Sequence, residues 1–225
     1  MSVCIFIPAR KGSKRIKNKN KKVFLGLPMI LWPINILKKE DFFNDIFVST
    51  DDPDIAALCL ANDCKVLERE PKFCDDHTTS IEVVKNFAKK EGHAFKFIVM
   101  VYPTTPLLDI ESIKLSIENL SKNEKYHSCS SIISYSHPIE RRLILKNGNL
   151  IYADLNAKNK RTQDLSVSYH DAANFYVFKK SFFVEDRNLF DDTTFGIEVD
   201  KKYSIDIDNE KDWNYAELML KNFKR

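Results

Sequence analysis

The sequence predicts an α/β fold built on a largely parallel sheet, and three observations carry that prediction. Short, unbroken apolar runs recur at residues 3–7, 46–49, 97–102 and 129–133. Continuous rather than alternating runs mark strands covered on both faces, as in a largely parallel sheet. Between them lie stretches with apolar residues at i, i+3 and i+4 spacing, at 29–37, 53–61, 80–91 and 110–120. Strands that alternate with helices build a parallel core flanked by helices.

The helix starts carry their own signals. Asp52 and Pro53 place proline in a first turn, and Thr79 with Ser80 offers a hydroxyl cap followed by Glu82. Near residue 138 the alternation stops. Residues 143–152 read as a β-hairpin about Asn147 and Gly148, the pair that favours a type I′ turn. A polar, charged stretch follows from 154 to 164, so residues 138–163 are expected to form an arm projecting from the sheet. Residues 175–178 and 203–207 are expected to return as strands, and 210–223 closes the chain as an amphipathic helix. No internal repeat is visible, and one domain over 1–225 accounts for the length of 225 residues.

The composition excludes several classes. With 44% hydrophobic and 30% charged residues the chain is ordinary for a soluble globular protein. Its 35 basic residues stand against 32 acidic ones, a net charge of +3, too even to argue for nucleic acid. The five cysteines are odd in number and scattered without CxxC spacing, so neither a zinc site nor a disulfide framework is signalled. A reducing cytoplasm is the expected setting. The apolar stretch before Pro8 is too short for a signal peptide or a membrane span.

Basic charge is concentrated between positions 10 and 22, where Arg10, Lys11, Lys14, Arg15, Lys17, Lys19, Lys21 and Lys22 crowd together. Such a run is commonly a solvated face. This one follows the first strand, and in open α/β sheets ligands bind beyond the carboxyl ends of the strands. There Gly12 and Ser13 can turn backbone N–H groups toward phosphate while arginine and lysine neutralise it. The loop is neither a Walker A sequence nor a Rossmann fingerprint, since Gly12 stands alone.

A second constellation is Asp206 and Asp208. Two residues apart on a strand, both carboxylates face one side. They repel unless a cation lies between them, which suits Mg²⁺; the other reading is a polar turn in which Asp208 or Asn209 caps the helix at Glu210. A third groups Arg69 with Asp75, Asp76, His77, Thr78 and Ser80, which could read the edge of a base or cap a helix. A fourth runs from Arg161 through Gln163 and Asp164 to Tyr169, His170, Asp171, Asn174 and Tyr176. It is too polar for a plain loop, although a lone His170 is more often a structural hydrogen-bonder than a catalyst.

Taken together these residues resemble the cytidylyltransferases that activate sialic-acid-type sugars. The resemblance rests on Ile7-Pro8-Ala9-Arg10-Lys11-Gly12-Ser13-Lys14 with Lys19 and Asn20, and on Val48-Ser49-Thr50-Asp51. It continues through Arg69 with Asp76 and Ser80, Tyr102-Pro103-Thr104-Thr105-Pro106, and Ser204-Ile205-Asp206-Ile207-Asp208. The resemblance implies a three-layer α/β sandwich of the nucleotide-diphospho-sugar transferase type, with the arm pairing two subunits into a homodimer. It implies that Arg10, Gly12, Ser13, Lys14, Lys19 and Asn20 cradle the phosphates of CTP. Arg69 and Ser80 would hold cytidine, with backbone at Thr78 reading the base, and Asp206 and Asp208 would hold Mg²⁺. Sialic acid enzymes carry Gln-Pro-Thr-Ser-Pro-Leu-Arg, where this chain has Tyr102 for the glutamine and Leu108 for the arginine; their Arg-Pro-Asn-Gly segment reads His170-Asp171-Ala172-Ala173 here. The stretch from Arg161 to Tyr176 is instead similar to the pseudaminic acid branch, which has a glycine where this chain has Ala173.

The expected reaction is therefore attack of the anomeric hydroxyl of an acidic nine-carbon sugar on the α-phosphorus of CTP, with loss of pyrophosphate. Arg10, Lys19 and Asp208 are the expected catalytic groups, and Tyr102, Gln163, His170, Asp171 and Asn174 the expected sugar contacts. N-acetylneuraminic, legionaminic and ketodeoxyoctonic acids are alternative substrates. A glycosyltransferase on a similar sheet is an alternative of another class.

Overall fold

The computed structural model describes residues 2–156 and 158–223. In chain order it runs β1 (Val3–Pro8), a short pair β2 (Val23–Phe24) and β3 (Leu27–Pro28), α1 (Leu31–Leu37), β4 (Asp45–Thr50), α2 (Pro53–Leu60) and β5 (Lys65–Glu68). Then come α3 (Ser80–Lys90), β6 (Phe97–Val101), α4 (Ile110–Lys122), β7 (Ser128–Ser134) and the hairpin β8 (Leu143–Lys146) and β9 (Asn149–Tyr152). The chain ends with β10 (Tyr169–Lys179), α5 (Lys180–Val184), β11 (Thr194–Glu198) and α6 (Glu210–Phe223).

Seven strands form one sheet in the order β11-β7-β10-β6-β1-β4-β5. β1 lies parallel to β4 and β6, β4 to β5, and β11 to β7. β10 runs antiparallel to both its neighbours, β6 and β7. Successive side chains of a strand point to opposite faces, and β1 shows the result. Val3, Ile5 and Ile7 enter one core with Ile34 of α1, Ile55 of α2 and Ile117 of α4, whereas Cys4 and Phe6 enter another with Val84 and Phe87 of α3 and Phe182 of α5. Phe6 stacks on Phe87 with ring centroids 4.6 Å apart. Helices on both faces make three layers, as expected.

The helix starts behave as their residues predict. The Asp52 carboxylate accepts from Asp54 N at 2.9 Å and Pro53 opens α2. Thr79 and Glu82 form a reciprocal capping box at α3. Asn209 caps α6, accepting from Lys211 N and Asp212 N, which leaves the Asp208 side chain free of that duty. In the hairpin, Asn147 and Gly148 have φ of 51° and 82°, the left-handed values a type I′ turn requires. Of the arm expected over 138–163, residue 157 lies outside the described residues.

Three elements differ from expectation. β5 and β11 form at the two edges of the sheet, where polar residues are tolerated and the continuous apolar signal is lost. Residues 203–207 are not a strand: Lys201–Tyr203 is a 3₁₀ turn, and 204–208 have no regular structure. The edge position is taken by β11, so the segment carrying Asp206 and Asp208 has no ladder to join. Side chains hold it instead. Asn174 Nδ2 donates to Tyr203 O at 2.6 Å, Lys19 Nζ donates to Ile207 O at 2.6 Å, and the Asp212 carboxylate accepts from Asp208 N at 3.0 Å. A third apolar cluster buries Ile207 with Ile16, Phe24, Met29, Trp213, Ala216 and Leu220, with Ile205 packed against it.

β10 begins at Tyr169, earlier than its apolar run, because its first residues pair with the end of β7. The excursion from β7 to β10 closes on itself where Tyr135 N donates to Ser168 O at 3.0 Å. A bulge then interrupts the β7 register between Asp171 and Tyr176, with Ala173 at φ 50°. Asn174 follows, 1% exposed, its amide donating to Leu107 O and Tyr203 O and accepting from Asp109 N. Four of the five free cysteines are buried in the cores, as small apolar groups are. No helix among the described residues is long and apolar enough to cross a membrane.

The left-handed backbone costs a non-glycine residue about 1–2 kcal/mol, and glycine returns part of that through its unfolded-state entropy. Ala173→Gly is therefore expected to stabilise the protein by roughly 0.5–1 kcal/mol. A higher urea midpoint at unchanged m-value checks it.

Candidate active site

The loop after β1 is shaped by a few polar ties. Ala9 N donates to Ser49 O at 2.9 Å and Lys11 N to Asp51 Oδ1 at 2.6 Å, holding the loop against the end of β4. Asn20, 7% exposed, donates from Nδ2 to Arg10 O at 3.1 Å and folds the loop back on its own start. Gly12 has φ 91°, a conformation that favours glycine, and nothing crowds it, so its role is to turn the chain. Ile16, buried in the third cluster, pins the far side. The cations between these anchors are displayed rather than buried, except Lys19, which is half-buried.

Arg10, Lys14, Arg15 and Lys19 face a cavity of about 440 Å³ at the carboxyl ends of β1 and β6. From the basic loop its wall takes Arg10, Ser13, Lys14, Lys19 and Asn20; from the segment opening α3 it takes Thr78 and Ser80. Arg69, Tyr102 and Asp208 complete the set that sequence reasoning had placed apart. Arg15, Pro103 and Thr104 also line it without having been singled out as site residues. Arg15 was visible in the basic run and the other two in the motif after β6, but no spacing distinguished them from their neighbours. Lys21 and Lys22 turn away, pairing with Asp52 and Glu210 at 2.9 and 2.7 Å.

The charges are arranged in pairs. Arg10 meets Asp76 at 2.8 Å, and Lys14 also meets Asp76. Arg15 meets Asp208 at 2.7 Å, with Lys19 Nζ at 3.9 Å from the same carboxylate. Solvent-exposed pairs of this kind are weak, so the cations can exchange carboxylate for phosphate at small cost. Burial lowers the Lys19 ammonium below its ordinary value, against the pull of Asp208 and Asp206. Partial burial, with the neighbouring Asp208 carboxylate, pushes the Asp206 carboxyl up although the residue is exposed at its surface. The two carboxylates are thus close enough to repel. Alternation along an extended segment brings this about, with Ile205 and Ile207 turned to the core, and no strand is needed.

Arg69 is the least ordinary group in the wall. It is 7% exposed, its Nε contacts Ser49 Oγ at 3.5 Å, and its Nη2 has no partner among the described residues. Burial lowers its pKa. A buried donor left unmet costs about 1–3 kcal/mol, more when charged, and an acceptor on a bound molecule would satisfy it.

The remaining expected residues lie off the cavity lining. Asp206 is exposed and does not line the cavity. Gln163 is exposed on a 3₁₀ turn of the arm. His170 packs on Tyr135 with ring centroids 4.8 Å apart, and its Nδ1 lies 2.9 Å from Asp171 O. Asp171 accepts from Tyr176 Oη. The buried Asn174 spends its amide on the backbone, so the structure assigns it to bracing the fold rather than to touching a ligand.

Over residues 4–223 the chain matches the model of a family described as cytidylyltransferase. It is 29% identical to the pseudaminic acid cytidylyltransferase of Campylobacter jejuni subsp. jejuni, covering 98% of this chain and 96% of that one. It is 30% identical to N-acylneuraminate cytidylyltransferase A of Danio rerio, over 98% of this chain but 51% of that protein. Among solved structures, the fold is similar to CMP:2-keto-3-deoxy-manno-octonic acid synthetase complexed with CTP, with a TM-score of 0.72 at 13% identity over 99% of both chains.

Arg69→Met keeps the aliphatic bulk and removes the unmet charge. It is expected to leave stability unchanged or higher while weakening CTP binding by about tenfold to a hundredfold. Denaturation and calorimetric titration with CTP read the two effects separately.

Proposed function

The chain belongs to the cytidylyltransferase family, and from that premise we propose that it transfers CMP from CTP to the anomeric hydroxyl of an acidic nine-carbon sugar, with pseudaminic acid the favoured substrate. The observation that carries this reading is the meeting, in one cavity, of the cations of the basic loop, the carboxylate of Asp208 and the Arg69 guanidinium with its unpartnered Nη2. The pseudaminic acid cytidylyltransferase that aligns over nearly its whole length supports the choice of sugar.

In this reading Arg69 and Ser80 hold cytidine, its base carbonyl satisfying the free Nη2, and backbone at Thr78 reads the base edge. Arg10, Ser13, Lys14, Lys19 and Asn20 hold the triphosphate. The sugar hydroxyl oxygen forms a bond to the α-phosphorus, the bond to the β-phosphate bridge oxygen breaks, and pyrophosphate leaves carrying that electron pair. Arg10 and Lys19 stabilise its charge, and positioning supplies most of the rate. Asp208 is the proposed acceptor of the hydroxyl proton. Two carboxylates of alternate residues, close enough to repel, form a hard oxygen donor set that fits Mg²⁺. When bound, the ion would offset negative charge at the α-phosphate. Tyr102 forms the wall toward the sugar, with His170, Asp171 and the arm residue Gln163 beyond it. The reaction is set in the cytoplasm, where CTP is available.

We also propose that the chain is a homodimer paired through the arm. An isolated two-stranded hairpin is marginal in water, yet β8 and β9 expose Leu143, Ile144, Leu145, Leu150 and Ile151. A second copy of the hairpin would cover that apolar surface.

Pyrophosphate release from CTP with a panel of acidic sugars tests the reaction. Pseudaminic acid is expected to be used best, and Asp208→Ala to lose about a hundredfold in kcat, or ~3 kcal/mol. Better turnover of N-acetylneuraminic, legionaminic or ketodeoxyoctonic acid would transfer the reading to that sugar, and consumption of a nucleotide sugar without pyrophosphate release would sink it. Sedimentation is expected to give a dimer that Leu145→Asp converts to monomer; a monomeric wild-type protein would end the pairing proposal.

A further inference from the structure

Asp76 takes no part in the helix start that surrounds it. Asp75 accepts from His77 N at 2.9 Å and Thr78 N at 2.7 Å, closing the turn, and Thr79 with Glu82 caps α3. The Asp76 carboxylate is left to two cations of the basic loop. Its Oδ1 pairs with Arg10 Nη1 at 2.8 Å, and its Oδ2 pairs with Lys14 Nζ. Arg10 and Lys14 line the cavity, as do Thr78 and Ser80, which follow Asp76 within the same segment.

The carboxylate holds these cations as a phosphate group would, one oxygen to each. Lys14 and, after it, Arg10 keep the Asp76 carboxyl below the usual carboxylate range, so it is ionised when a nucleotide arrives. A triphosphate brings several negative charges to the same two cations, inside the Debye length of about 8 Å that separates screened from unscreened charge.

Two effects of Asp76 on that encounter oppose each other. As a strut it would fix Arg10 and Lys14 for the phosphates and strengthen binding. As a charge it repels the phosphates and keeps a claim on their cations, which weakens binding. Exposure decides between them. The Asp76 side chain is 39% exposed and that of Lys14 76%, and solvated pairs of this kind are worth no more than about fivefold in an equilibrium constant. Repulsion is summed over every phosphate charge, whereas bracing comes from one weak pair on each cation. Repulsion wins.

We propose that Asp76 is an internal competitor for Arg10 and Lys14, a positioning residue whose carboxylate weakens the hold of the basic loop on triphosphate and on pyrophosphate. Affinity spent equally on ground state and transition state does not raise kcat, and product release limits many turnover rates. A carboxylate that reclaims both cations as pyrophosphate departs relieves that limit. The choice of ligand rests on the reaction proposed above.

Calorimetric titration of the full chain with inorganic pyrophosphate, at low and at high salt, tests it. Asp76→Asn and Asp76→Ala are both expected to bind pyrophosphate about tenfold more tightly than wild type at low salt, and only about twofold more tightly at high salt. CTP affinity should rise in parallel, and added pyrophosphate should inhibit CTP consumption at correspondingly lower concentration. Asp76→Glu keeps the charge and should stay within about threefold of wild type. Glu118→Gln makes the same change of net charge at an exposed site on α4, and should leave pyrophosphate affinity within about twofold. Weaker or unchanged binding in either neutral variant would overturn the assignment, and weakening in Asp76→Ala that Asp76→Asn restores would mark a strut instead. A gain that Glu118→Gln matches, or that salt leaves untouched, would also overturn it. A wild-type protein that binds pyrophosphate yet releases none from CTP with any acidic sugar would end the proposed reaction without touching the competition. A wild-type protein that binds neither CTP nor pyrophosphate would remove both.

Discussion

The site depends on the third apolar cluster, which buries Ile16 and Ile207 together. These two fully buried residues meet in the third apolar cluster, together with Phe24, Met29 and Trp213. Each is the neighbour of a charged group that faces the other way: Ile16 follows Arg15, and Ile207 lies between Asp206 and Asp208. Burying an isoleucine stabilises by about 1.5–3 kcal/mol, whereas the ion pairs at the rim are exposed and weak. Packing therefore positions the charges. Phe24 bridges the cluster, meeting Trp32 and Trp213 edge to face at 5.7 and 5.2 Å. Lys22 adds a cation over the Trp213 ring at 4.5 Å. A basic loop and an acidic segment separated by most of the sequence are thus held in register by a small hydrophobic core of their own.

The second organising constraint is the reversal of β10. Parallel strands deliver their carboxyl ends to one edge of the sheet, which is where β1 and β6 deposit the basic loop and Tyr102. An antiparallel strand brings its amino end to that same edge. Tyr169, His170 and Asp171 consequently enter beside the end of β6, and the bulge after them lets one strand serve two faces. Asn174 completes the arrangement by tying the chain after β6, at Leu107, to the chain after β11, at Tyr203.

Much of this was legible in the residues. The continuous apolar runs marked β1, β4, β6 and β7, and capping chemistry marked α2 and α3 within a residue or two. The basic loop was legible as a candidate site because its charges follow a strand. The edge strands were not, because an edge need not be apolar on both faces, and β11 carries Gly196 and Glu198 among its five residues. The acidic segment was read as a strand from the alternation of isoleucine and aspartate. That alternation is real, but it reports an extended backbone and not a hydrogen-bonded one. Asn174 looked like a ligand contact from its polar neighbours, and only burial distinguishes a brace from a contact. The link between Asp171 and Tyr176 was hidden for a related reason: it requires a bulge, and nothing in Ala173 announces a left-handed residue.

The hydrogen bond from Tyr135 N to Ser168 O has a wider meaning for how such a molecule can change. Everything between those residues leaves and re-enters the sheet at one point, so its length and content are nearly independent of the strands that flank it. Loop-closure entropy grows only with the logarithm of length, so insertions or deletions there cost the flanking sheet little. The segment is a cassette. Its exchange between relatives would carry the hairpin and the approach to His170 and Asp171 together, as one unit.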